Sequence, residues 1–213
     1  MNGDVSDSAD LTFLIENGMP RNSMAGFTNF IDLASEDSGT ITTTIRNTTI
    51  GDTIGQGIDI EAFDTSRVTL DVIGSTLSNS GAGLLNVLVN DQAVASSTLT
   101  SNTLINPANR AITLLGKATN ATDYARVGAT LTSNQFQALS GALRATSDTD
   151  DGLAELRLNM TNNTSNGLYL LEQIEAPPGT ATITLFDGGG NSPTQTTSGT
   201  LGTSTTALDI TFP

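Results

Sequence analysis

The sequence predicts an all-β chain wound into a parallel β-helix of about six coils, each of about 27 residues. Three observations carry that prediction. The pentapeptide TLTSN occurs twice, at Thr98 to Asn102 and at Thr130 to Asn134. Apolar residues recur at a near-constant interval along most of the chain. Within the apolar patches they alternate with polar ones, as in Val68, Leu70 and Val72 or in Ile183 and Leu185, which is the period of a strand with one buried face.

Alignment on the two pentapeptides extends in both directions. Each unit opens on a first patch marked by Ile50, Leu77, Leu104, Phe136 or Met160 and reaches an anchor residue seven or eight positions later. It ends in a more variable third patch such as RVTLDV (67–72), LAELRL (153–158) or TATITLF (180–186). The anchors are Ile31, Ile58, Leu84, Ile112, Leu143, Leu168 and Leu208. Gly57, Gly83, Ala111, Ala142 and Gly167 precede five of them, and a small residue suits a tight bend there. Asn79, Asn106 and Asn163 fall in the turn after the first patch, where Asn accepts a left-handed backbone. At Leu84, strict alternation would point Asn86 inward; a one-residue shift that buries Leu85, Val87 and Val89 instead is the better register.

SNQFQALSGAL (133–143) also reads as an amphipathic helix, with Phe136, Leu139 and Leu143 on one face and Ser133 as its cap. The TLTSN register puts the same apolar residues on coil positions and favours a strand. Gly, Thr and Asn interrupt every unit too often for a helical solenoid. The expected organisation is a single domain over 1–213: a divergent segment or cap at 1–24, regular coils at 25–186, and a Gly/Ser/Thr-rich loop with a final strand at 187–213.

Composition narrows function. The formal charge is −14, there is no His, Cys or Trp, and Thr and Ser supply 54 of the 213 residues. A surface so short of Lys and Arg repels phosphate backbones and anionic membranes, so nucleic acid is not an expected partner. Without Cys there is neither disulfide nor thiolate chemistry, and without His the commonest general base and zinc ligand are missing. The apolar runs are too short for a membrane-spanning helix. The opening MNGDVSDSAD has neither the basic region nor the apolar stretch of a signal peptide, so the expectation is a mature fragment or export by another route.

NTTIGDTIGQGIDI, GSTLSNSGAGLLNV and TNNTSNGLYLL resemble the repeats of right-handed parallel β-helix proteins of the pectin-lyase-like class, over roughly residues 25 to 190. The resemblance implies an architecture shared by polysaccharide lyases, glycosidases, phage tailspikes and bacterial adhesins, so activity has to be read from the surface. Two clusters stand out. The first is Asp59, Asp64, Arg67 and Asp71 in GIDIEAFDTSRVTLD, which a calcium-dependent lyase or a glycoside hydrolase would use as acidic and basic groups; otherwise it is a solvated strand and turn. The second is Asp148, Asp150 and Asp151, with Glu155 and Gly152, in SDTDDGLAE, which reads as a calcium loop or as a plain acidic turn. The expected function is structural or adhesive: a rigid rod of a secreted or cell-surface protein, with no cofactor other than calcium, that contacts a glycan, a surface protein or its own copies through open helix ends.

Overall fold

Alternating patches become strands, and stacking sets each strand beside its counterpart one coil away. The computed structural model describes residues 1–18, 29–138, 141–192 and 196–212. β1 (Asn2–Val5) and β2 (Asp10–Glu16) begin the stack. Five three-strand turns follow: β3 (Ile31–Ser35), β4 (Thr40–Arg46) and β5 (Thr49–Thr53); β6 (Ile58–Ala62), β7 (Arg67–Ile73) and β8 (Thr76–Ser80); β9 (Leu85–Asn90), β10 (Val94–Thr100) and β11 (Thr103–Pro107); β12 (Ile112–Ala118), β13 (Tyr124–Thr132) and β14 (Gln135–Gln137); β15 (Leu143–Thr149), β16 (Leu153–Thr161) and β17 (Thr164–Ser165). β18 (Tyr169–Glu175) and β19 (Thr180–Asp187), then β20 (Thr196–Ser198) and β21 (Leu201–Ser204), end it.

These strands form three parallel sheets and about seven turns of a β-helix, with no helix among the described residues. Sheet 1 holds the first patches in five strands (β5, β8, β11, β14, β17). Sheet 2 holds the anchors in eight strands from β1 to β20, and sheet 3 the third patches in eight from β2 to β21. The two pentapeptides pair residue for residue in sheet 3, Thr98 with Thr130, Leu99 with Leu131 and Thr100 with Thr132.

Inward columns fill the interior. Ile31, Ile58, Leu85, Ile112, Leu143 and Tyr169 form the anchor column and are fully buried. Ile45, Val72, Leu99, Leu131 and Met160 line it from sheet 3, and Ile50, Leu77, Leu104 and Phe136 from sheet 1. Each buried Leu or Ile contributes roughly 1.5–3 kcal/mol, so stability accrues coil by coil. Phe136 meets Tyr169 edge to face at 5.8 Å in the interior.

The corner between sheets 3 and 1 is closed by one residue in left-handed conformation, among them Asn47, Gly74, Ser101, Ser133 and Asn162, followed by a buried polar residue. Those polar residues make a continuous ladder: the backbone N–H of Thr48 donates to Ser75 Oγ, that of Ser75 to Asn102 Oδ1, and those of Asn102, Asn134 and Asn163 to Oδ1 of the next Asn, ending at Asn191. The tight turn leaves these N–H groups without a strand partner, and the side chain of the next coil supplies the acceptor.

Several sequence expectations are corrected. The anchors are Leu85 and Tyr169 rather than Leu84 and Leu168; Leu168 is 59% exposed. At the first of these, the N–H groups of Leu84 and Leu85 both donate to the carbonyl of Ala111, so a bulge absorbs the additional residue and turns Asn86 outward, the register favoured above. Met160 belongs to sheet 3, and Ser165 takes the first-patch place opposite Phe136. Asn79 and Asn106 do occupy left-handed turn positions, whereas Asn163 is a rung of the buried ladder. The strand favoured over a helix in the 133–143 segment is present as Gln135–Gln137, with Leu139 outside the described residues. Residues 2–16, assigned to a divergent segment or cap, form two regular strands, which lifts the coil number above six. Leu208 is not an anchor: β20 fills that sheet position, and Leu208 lies across the outside of sheet 3.

Candidate functional site

A packed β-helix leaves its outward columns and its corners for function. The outward column beside the anchors runs Asp32, Asp59, Asn86, Thr113, Arg144 and Leu170, in strand register. Leu85 and Tyr169 take no part in it, because the bulge at Leu84 and the corner at Leu168 turn both inward. One column further along sheet 2, Glu61 stands between Ala34 and Leu88.

Asp32, Asp59 and Glu61 therefore share one outer face of sheet 2, with adjacent strands about 4.8 Å apart. Asp59 is clamped: Asn86 Nδ2 donates to its Oδ1 and Asn29 Nδ2 to its Oδ2, both at 2.8 Å. Asn29 is itself fixed, since its Oδ1 accepts the backbone N–H of Gln56 at 2.9 Å. Burial pushes the Asp59 carboxyl above the ordinary Asp value, the Asn86 bond opposes that, Asp32 adds repulsion and the Asn29 bond again lowers it. Glu61 is also raised, by partial burial and then by the charges of Asp59 and Asp32. Asp59 and Glu61 hold protons to higher pH than isolated carboxyls do. The signal for it lay in the sequence: FIDL at Phe30 to Leu33 and GIDI at Gly57 to Ile60 both put Asp directly after an anchor.

The first predicted cluster is dispersed over three surfaces. Asp59 is on sheet 2, Asp64 at the corner between sheets 2 and 3, and Arg67 and Asp71 on the outer face of sheet 3. Asp64 belongs to an exposed corner column with Asp7, Asp37 and Asp91, all in left-handed conformation. The N–H of each donates to the carboxylate of the next, from Asp7 to Asp37 (3.1 Å), Asp37 to Asp64 (3.2 Å) and Asp64 to Asp91 (3.4 Å). This Asp ladder was missed as a repeat, although its spacing follows the coil length.

The second predicted cluster is divided as well. Asp148 points outward from sheet 2 in register with Lys117, and Glu155 lies on sheet 3, bonded to Tyr124 and Arg157. Asp150 and Asp151 stay at the corner, where Asp151 Oδ1 accepts the N–H of Gly152. Gly152 has φ +80° and packs on the carbonyls of Asn120 and Asp123, so its role there is conformational. Among the described residues no group of three acidic side chains is arranged to hold a metal ion.

A shallow open groove follows the end of sheet 1 over several coils. Asn79, Ser80, Asn106, Pro107 and Gln137 line one part, and Gln135, Thr164 and Asn166 continue it past Gln137. Asn106 and Asn79 form a short exposed amide ladder that ends on Asp52 Oδ1.

No protein-family model, no curated protein and no solved structure matches the chain.

Proposed function

We propose that this chain is a non-enzymatic structural or adhesive module of a secreted or cell-surface protein, in which a rigid β-helix presents repeated polar groups to a glycan, a protein or other copies. The observation that carries the reading is the groove along sheet 1. Its lining mixes the amides and hydroxyls of Asn79, Ser80, Asn106 and Gln137 with the apolar surface of Pro107, Ala108 and Phe136, and Asn79 and Asn106 stand at the spacing of stacked strands, a pattern suited to neutral polymers that carry both hydroxyls and apolar faces. The likeness of the repeats to pectin-lyase-like and adhesin β-helices agrees with that role.

The test is binding of the intact chain to a panel of immobilised glycans. A hit that falls at least tenfold in Asn106→Ala/Gln137→Ala, with unchanged melting, is the expected result. The same preparation, with and without calcium, is assayed for depolymerisation of acidic glycans. Activity that disappears in both Asp64→Ala and Arg67→Ala would overturn the reading in favour of a lyase or hydrolase.

A further inference from the structure

Sheet 1 offers the solvent one amide in each of four successive coils. Asn79 on β8, Asn106 on β11, Gln137 on β14 and Asn166 just after β17 are all exposed. Asn79 and Asn106 hold equivalent left-handed positions, at φ 52° and 50°, and Asn106 Nδ2 donates to Asn79 Oδ1 at 3.4 Å. Gln137 pairs with Ile105 rather than Asn106, so it stands one position earlier in its coil. Its side chain is one methylene longer, and it lines both parts of the groove. Asn166 Oδ1 accepts the N–H of Ala138 at 2.7 Å, which fixes that amide through its acceptor. A carboxamide has two N–H donors and two lone pairs, so these bonds leave each group able both to give and to accept.

The row is uncharged. None of the residues that line the groove is ionisable, although the chain carries 22 acidic and 8 basic side chains. Asp52, which accepts the Asn79 amide at 3.0 Å, closes the row at one end. Pro107 and Ala108 add an apolar stretch beside Asn106, and the main part of the groove has a volume of about 630 Å³, within the range of ligand clefts.

Spacing decides what such a row can read. The four amides follow strands about 4.8 Å apart, so a ligand that meets all of them repeats at that interval. An extended peptide presents one face every two residues, about 6.6 Å, and falls out of step within two coils. A nucleic acid needs cations, which the groove lacks, and an acidic glycan meets the same lack in a chain of formal charge −14. A β-1,4-linked pyranose chain is straight and advances by close to one strand spacing per sugar. Successive sugars turn opposite edges to the same side, and a carboxamide serves either edge because it both donates and accepts.

We propose that the groove takes an extended, neutral β-1,4-linked glycan lying along the β-helix axis, with one sugar opposite each of Asn79, Asn106, Gln137 and Asn166. The inference rests on the reading of the chain as a module that contacts a glycan, and adds the linkage, the direction and the number of sugars. From β8 to β17 the amides span three strand spacings, about 14 Å, which sets the length at four sugars. Pro107 and Ala108 receive the apolar face of a ring.

The test is an NMR titration of the intact, isotope-labelled chain with cello-oligosaccharides of two to six glucose units. Cellotetraose should shift the side-chain amide signals of all four residues and leave those of the buried Asn102 and Asn134 unmoved. Affinity should rise about two- to tenfold with each sugar up to four and then level off. Asn79→Gly, which keeps the left-handed backbone, should leave cellotriose binding almost unchanged and reduce cellotetraose to the affinity of the trimer. Maltotetraose, whose α-linkages curve the chain, and tetragalacturonate, which is charged, should bind about tenfold more weakly than cellotetraose. An affinity that does not depend on length, or an Asn79→Gly variant that weakens every oligomer alike, overturns the proposal. Binding of that kind that is still lost in Asn106→Ala/Gln137→Ala leaves the adhesive reading standing without it. The absence of any shift with cello-oligosaccharides also overturns the proposal, and a different glycan that binds on the immobilised panel again leaves the broader reading in place.

Discussion

Asn102 and Asn134, the residues that end the two copies of TLTSN, are bonded to each other twice: Asn134 Oδ1 accepts both the backbone N–H of Asn102 at 3.0 Å and its side-chain amide at 3.1 Å. Both are buried, and the amide of Asn134 continues to the carbonyl of Leu99 and to Asn163 Oδ1. Replacing Asn134 with Ala strands the Asn102 N–H and removes the donor to the Leu99 carbonyl, out of reach of water, while the Asn102 amide keeps its bond to the Val72 carbonyl. The expected loss is about 3 kcal/mol or more, measured by denaturant unfolding. Asn134→Ser should cost less than Ala, because the hydroxyls of Ser75 and Thr48 already accept the N–H groups of Thr48 and Gly18 in the same ladder.

The same column marks how far the sequence could be read. Identical pentapeptides align themselves, and strand alternation identified the inward columns, including the shift at Leu84 that buries Leu85. The ladder stayed hidden because its rungs change type along the stack, from Thr48 and Ser75 to Asn102, Asn134, Asn163 and Asn191, and Asn is as common in the exposed turns as at that corner. Leu168 misled for a local reason. Leu168, Tyr169, Leu170 and Leu171 are four successive apolar residues, and only the corner geometry decides which of them faces in. The acidic patch was half visible, in Asp32 and Asp59 after their anchors. The C-terminal segment across sheet 3 was not visible, since its contacts are side chain to carbonyl across as many as 145 residues and leave one trace, Gly128, where a Cβ would lie 2.5 Å from the carbonyl oxygen of Ile210.

Thr43 offers a gain of stability. Its side chain points into the core beside Leu70, is fully buried, and its Oγ1 has no hydrogen-bond partner among the described residues. Valine has the same shape without the hydroxyl. Thr43→Val should raise stability by about 1 kcal/mol, seen as a higher melting temperature with an unchanged circular dichroism spectrum.

Asp123 ties the long corner after β12. Burial raises its carboxyl, but the backbone N–H groups of Asn120 and Thr119 and their side chains donate to Oδ2 and bring it below the ordinary Asp value. A depressed acid stabilises the fold above its unfolded pKa of about 3.9 and loses that contribution as pH falls through the folded value. Asp123→Ala should therefore cost about 1–2 kcal/mol at neutral pH and progressively less below about pH 4, measured by urea unfolding across that range.

Asp59 and Glu61 have the opposite sign. Both carboxyls are raised, by burial first and then by neighbouring negative charge, so the folded state takes up protons more readily than the unfolded one. Their ionisation opposes folding above the raised folded values, and stability returns as pH falls from there toward the unfolded Asp and Glu values of about 3.9 and 4.3. Glu61→Gln removes one charge beside Asp59 without disturbing the Asn29 and Asn86 bonds. The variant should be more stable than the parent at pH 7 by roughly a few tenths of a kcal/mol, because Glu61 is partly solvated. The two unfolding curves should converge as pH falls well below the ordinary carboxyl values, where both groups become protonated in the folded and the unfolded chain. A gain that persisted at low pH would mean that the side-chain amide stabilises by a new hydrogen bond and that charge repulsion within the patch is unimportant.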